Sequence, residues 1–182
     1  MTAIAPTGAT IPEVTHHQAE VDGAWLHHVR TGGTGTPILL VHGWPESWWA
    51  FRKLIPLLAT THQVIAVDLR GFGDSSAAED GPDEAIFADD LHHLVQQLGL
   101  GPVHVLCQDI SGGLGFRFAA THSDDVLSFT AIESTSPASG SRRWPTSITA
   151  APGTSDSWAH RAFRPGCWPV TSESSLPAGP TR

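Results

Sequence analysis

In the stretch VHVLCQDISGGLGF, Val103 to Phe116, an apolar run stops on an aspartate and then on glycines. A strand that leads at once into small-X-nucleophile-X-small, and from there into a helix, makes a strained turn that pushes the central side chain out of the fold. Cys107-Gln108-Asp109-Ile110-Ser111 fits that pattern: Cys107 and Ser111 are the small flanks, and Gly112 and Gly113 let the following helix come close to the sheet. Asp109 is therefore a candidate nucleophile. A carboxylate is ionised near neutral pH, so it can attack an electrophilic carbon without a base to deprotonate it first. Two other readings stand beside this one. An aspartate after a strand is commonly a helix N-cap, and Ser111 could be a serine nucleophile, although the small position before it would then be held by Asp109.

Two more polar motifs, HGWPES at 42–47 and DLRGFGDS at 68–75, also follow apolar runs, PILLV and HQVIAV. The elements that must position the three motifs can be traced along the chain. HHQAEVDGAWLHHVRTGG predicts a hairpin turning at Gly23. From Ser47, a plausible cap, the residues Trp48, Trp49, Phe51, Leu54, Ile55 and Leu58 form one helical stripe that Pro56 should kink or end. DEAIFADDLHHLVQQLGL predicts an amphipathic helix with Ile86, Leu91, Leu94, Val95 and Leu98 inward and Gly99 as its stop. VHVLC and VLSFTAI are the last strands, with a helix from Ser111 to Thr121 between them. Such alternation implies right-handed crossovers and a parallel sheet covered by helices on both faces, with ligands bound beyond the carboxyl ends of the strands. The three motifs should then gather on one edge.

A chain of 182 residues with 40% hydrophobic content and seven tryptophans can bury one substantial core. A formal charge of -8 and a single lysine, Lys53, argue against nucleic acid and against anionic membrane surfaces. Two cysteines are too few for a disulfide framework, and Cys107 inside a strand pattern suits a reduced, buried thiol. The chain opens on no basic-then-apolar leader and contains no apolar run of the ~18 residues a membrane span needs, so a cytoplasmic location is expected. Residues 1–15 read as a loose lead-in and 16–133 as the folded portion. After Glu133 more than half of the residues are Ser, Thr, Pro or Gly and the formal charge turns positive. Composition of that kind does not support a core, and disorder is expected over 134–182.

In order and separation, HGWPESWW, DLRGFGDS and CQDISGG resemble the N-terminal part of an α/β-hydrolase of the epoxide hydrolase and haloalkane dehalogenase group. The resemblance covers about Val21 to Glu133. It implies a truncated α/β-hydrolase core, a mostly parallel sheet with an N-terminal antiparallel hairpin and helices on both faces, lacking the cap domain and the last strands. It also implies a two-step hydrolysis in which Asp109 forms an alkyl-enzyme ester that water then cleaves. The oxyanion hole would map to the backbone N–H groups of Trp44 and Ile110, with Pro45 holding the loop through a cis bond. The implied substrate is a small apolar epoxide or, as the alternative, an alkyl halide; Ile110 favours the epoxide, because many dehalogenases place Trp directly after the nucleophile. No cofactor is implied.

The remaining polar residues read as support. His42 packs within its loop beside Gly43, and Asp68 and Arg70 form a charged pair that, with Gly71 and Gly73, fixes a turn. Trp48 and Trp49 suit the core and Trp44 the pocket wall. Adjacent histidines (His16-His17, His27-His28, His92-His93) point apart on a strand or helix, so no metal site is expected from these pairs. Glu133 could stand where some dehalogenases carry their acid, a strand-end structural role being the alternative. The family's general-base histidine and cap have no counterpart after Glu133, and the chain has no tyrosine for ring-oxygen protonation. An inactive fragment, or a non-catalytic remnant serving as an interaction module, is therefore expected. Synonymous back-translation of Arg143 to Ser174, read two bases along, can give sequence similar to the family's cap. A frameshift near Ser134 to Thr135 would account for the change in composition.

Overall fold

The structure is a computed structural model and describes residues 1–77 and 84–134. The tail from Thr135 onward, with Cys167, lies outside the described residues.

Seven strands form one sheet in the order β1-β2-β3-β5-β4-β6-β7. The hairpin of β2 (Val14–Val21) and β3 (Ala24–Thr31) turns on Asp22 at φ 46 and Gly23 at φ 76. Both central residues thus have the positive φ that matches a two-residue turn to the twist of its strands. Within the stretch expected to be a loose lead-in, Thr2–Ile4 forms β1, pairing antiparallel with β2 at the sheet edge. From β5 onward the pairings are parallel: β5 (Gln63–Val67) with β4 (Pro37–Val41), β4 with β6 (Val103–Gln108), and β6 with β7 (Val126–Ile132).

Continuous apolar runs in the central strands follow from burial on both faces. Leu39, Val41, Ile65, Val67, Val103, Val105 and Cys107 face a core closed by α2 (Glu84–Leu98) and α3 (Ser111–Thr121). The alternate residues Ile38, Leu40, Val64 and Ala66 face a second core closed by Trp48, Phe51 and Ile55.

Two helix expectations need correction. The stripe from Ser47 is a 3-10 turn, Trp48–Phe51, and then a separate α1, Ile55–Leu58. Ser47 does cap, accepting from the Trp49 N–H, but Pro56 lies in the first turn of α1, where its missing N–H costs nothing, so the break falls before it. In α2 the inward face is Phe87, Ala88, Leu91, Leu94 and Val95, whereas Ile86 is exposed. The helix is rotated so that Asp90 is buried as well, for a reason that lies in Arg70.

Candidate active site

The chain leaves β6 at Gln108 and enters α3 at Ser111, which leaves Asp109 and Ile110 to make the turn. Asp109 sits at φ 54, a region that L-residues with side chains seldom occupy. The turn is locked on both sides. The Asp109 N–H donates to Ile132 O at the end of β7 (3.0 Å), and the Gly112 N–H donates back to Asp109 O (3.1 Å). Ser111 is fully buried; its Oγ accepts the Gln108 N–H at 2.9 Å and lies 2.9 Å from Val41 O and 2.8 Å from Gln108 O. That engagement removes Ser111 as a nucleophile and makes it the pin of the turn.

The Asp109 side chain does not cap α3, whose N-cap position, Ile110, has no side-chain cap bond. It reaches instead to the 42–47 loop, where Oδ2 accepts the Trp44 N–H at 3.1 Å. Gly43 permits the approach: a Cβ there would stand 2.7 Å from Asp109 Cβ and 3.0 Å from Oδ2. The second expected donor, the Ile110 N–H, has no acceptor among the described residues, and Ile110 itself is in the αR region. Trp44–Pro45 is a cis peptide bond, as expected of this loop.

The loop is held from beneath. His42 is fully buried, its Nδ1 2.7 Å from Gly43 O and its Nε2 3.1 Å from the Leu69 N. Those partners fix one tautomer, with Nδ1 donating and Nε2 accepting the Leu69 N–H, and burial holds the ring below the usual imidazole value. Asp68 accepts the Trp48 N–H at 2.6 Å, the Asp74 N–H at 3.1 Å and a 2.7 Å bond from His27 Nδ1, so it ties its own turn to β3 and to the start of the Trp48–Phe51 turn. Its expected pairing with Arg70 is not formed. Arg70 turns to Asp90 of α2, with contacts of 2.6 and 3.0 Å, because the buried Asp90 carboxylate needs a cation and Asp68 is already satisfied. Gly71 at φ 84 and Gly73 at φ 51 do supply the turn.

Sequence reasoning passed over two side chains at the site. Gln108 Nε2 donates to Glu46 Oε2 at 3.0 Å, joining the turn to the Trp44 loop. Their places inside HGWPES and CQDISGG were the available signal, but pairing across 62 residues is not visible in either motif. Glu133 is exposed at φ 50 just after β7, with no side-chain hydrogen bond to a histidine among the described residues. Trp48 is buried and Trp49 half-buried, whereas Trp44, Ile110 and Ile132, all next to Asp109 by bond or sequence, are exposed at 65%, 42% and 38%. Three exposed apolar residues thus adjoin the turn that carries Asp109.

Parallel strands, helices on both faces and a strained turn after β6 beside a loop after β4 are the arrangement of one enzyme fold. The chain belongs to the alpha/beta hydrolase fold family, whose profile matches residues 36–167. It is 46% identical over 114 residues to a soluble epoxide hydrolase of Corynebacterium sp. (strain C12), covering 63% of this chain and 40% of that protein. A haloalkane dehalogenase of Psychrobacter cryohalolentis is 37% identical over 91 residues, covering 48% of this chain and 30% of that one. Among solved structures, the epoxide hydrolase CorEH without ligand superimposes with a TM-score of 0.67 at 39% identity, over 73% of this chain and 47% of that chain. The chain thus spans less than half the length of these relatives. No helix among the described residues is long and apolar enough to cross a membrane.

Proposed function

We propose that this chain carries the nucleophilic half of an epoxide hydrolase-type site, with Asp109 as the nucleophile and a small apolar epoxide as the substrate class. One observation carries the reading: Asp109 projects at positive φ out of the β6–α3 turn, with a single hydrogen bond to its carboxylate among the described residues. Oδ2 is held by the Trp44 N–H, which leaves Oδ1 to attack a ring carbon. The C–O bond of the epoxide breaks as the new ester bond forms, and the ring oxygen leaves as an alkoxide that takes a proton from an acid or from water. In the ester, the former Oδ2 is the carbonyl oxygen and already faces the Trp44 N–H. Attack of water on Cγ would place negative charge on that oxygen, where the N–H groups of Trp44 and Ile110 would receive it. The apolar rim of Trp44, Ile110 and Ile132 suits an apolar substrate.

The second step needs a base to activate water, and no histidine is bonded to Asp109 or Glu133 among the described residues. On this reading the chain reacts once, as an inactive fragment of the full enzyme.

Incubation with a reactive epoxide, followed by intact mass and product analysis, tests both parts. One covalent addition, absent from D109A, is expected. Sustained turnover would overturn the fragment reading, and an equal addition in D109A would remove Asp109 from its role. An adduct from an alkyl bromide but not from an epoxide would move the reading to dehalogenase chemistry, which the similarity to a haloalkane dehalogenase also supports.

A further inference from the structure

On the side of α2 that meets the end of α3, two histidines and two aspartates converge. Asp89 and His92 stand three residues apart on α2, and His122 and Asp125 stand three apart where α3 gives way to the 3-10 turn Ser123–Asp125. The His92 and His122 rings stack at 3.9 Å between centroids with 11° between their planes. His92 Nδ1 lies 2.5 Å from Asp125 Oδ2, and His122 Nε2 lies 3.3 Å from Asp89 Oδ1. One ligand atom from each of His92, His122 and Asp125 falls within 4.8 Å of the other two.

The geometry points to a divalent transition-metal site of the Zn2+ class, formed by His92, His122 and Asp125, with Asp89 beside His122. Two imidazoles and a carboxylate are a donor set that such cations take, and a tetrahedral ion with bonds of about 2.0–2.2 Å wants its ligand atoms roughly 3.3 Å apart. Rotation about the side-chain torsions closes the remaining gap, since all of these residues except Asp125 are at the surface or near it: side-chain exposure is 25% at His92, 23% at His122, 55% at Asp89 and 14% at Asp125. The competing account is a pair of ion pairs clamping α2 to α3. That account leaves each ring bonded to one carboxylate, whereas a divalent ion would engage both rings and Asp125 at once. Asp125 is also steered, because Gln96, one turn beyond His92, donates to its Oδ1 at 2.7 Å. The other histidine–carboxylate group, His27, Asp68 and Asp74, is not comparable: the Asp68 oxygens already take the Trp48 and Asp74 N–H groups.

His93, adjacent in sequence, bonds to Asp22 at 2.7 Å and supplies the control. Zn2+ should bind the full chain one to one in competition with a chromophoric chelator. H92N and H122N should each weaken binding at least tenfold and D125N several-fold, and H93N should leave it unchanged. In the unsubstituted chain, Zn2+ should also protect His92 and His122, but not His93, from diethylpyrocarbonate, read by peptide mass. Absence of saturable binding, affinity unchanged in both H92N and H122N, or protection elsewhere than at these two rings would overturn the site. The protection measurement decides the matter even if a variant fails to fold.

Discussion

His28 lies fully buried on β3, and neither ring nitrogen has a hydrogen-bond partner of good geometry among the described residues. Burial pushes its pKa down from 6.5 to about 3, and the nearby His17 and His27 add to the effect; the Leu26 carbonyl opposes it only in part. An unfolded histidine takes a proton near its ordinary value, so between about pH 6.5 and 3 the unfolded chain binds a proton that the folded chain refuses. Stability therefore falls as pH falls through that window, by on the order of 5 kcal/mol for this residue in full. Replacing His28 with Leu keeps the volume and removes the titration. Urea midpoints across a pH series should show H28L no less stable at pH 7 and with a shallower loss toward pH 4. An equally steep loss in H28L would assign the acid sensitivity to other residues. At this scale the sequence was most informative where a motif carried its own geometry. The small flanks of Asp109 and the tight Gly43 belong to the motifs that hold them, so the turn and the loop could be read directly. The partner of Arg70 could not, because Asp90 meets it only once α2 has docked, and a nearby Asp68 offered a pairing of equal chemical sense.

At the scale of elements, α3 lies close to β6 and β7 because glycines line its inner face. A Cβ at Gly115 would overlap Cys107 Sγ and stand 2.9 Å from Phe129 Cε2, and one at Gly112 would overlap Ser134. G115A should therefore cost roughly 1–3 kcal/mol despite the better helix propensity of alanine, since neither the sulfur nor the ring can retreat from a packed core. Urea denaturation checks it; an unchanged or raised midpoint would mean that the helix can shift without loss. The strands, their parallel pairing and the gathering of the three motifs on one edge were legible because each central strand is a largely apolar run ending in a polar motif. Helix phase was less so. Ile86 and Phe87 are neighbours of similar hydrophobicity, and the choice between them follows from how α2 meets Arg70 and α3. The break before α1 escaped the pattern because a 3-10 turn and an α-helix can share one apolar stripe.

At the scale of the whole molecule, β7 is the last strand in the sheet order, and among the described residues nothing pairs with its outer edge. Ile132 at its end is exposed, as are Ile110 and Trp44 on the adjoining turn and loop. An unpaired strand edge beside an apolar rim favours association. Light scattering should show self-association rising with protein concentration, and I132K should lower it without shifting the melting temperature. Association identical in I132K would place the contact elsewhere.

Burial of Cys107 has a kinetic meaning. The thiol lies on β6, one strand in from the β7 edge and under Gly115, fully buried, with its pKa pushed up to about 12. A thiol reagent attacks the thiolate, so in the native protein it must wait for β6 to open. With Cys167 replaced by serine, the labelling rate of Cys107 becomes a clock for the opening of β6. It should run several orders of magnitude slower than a free thiol and speed up about tenfold or more in G115A, in step with the lost stability. Labelling at the free-thiol rate while the circular dichroism stays native would mean that β6 opens freely within the folded protein. The same sulfur that limits how close α3 can come thus times how often the helix lets go.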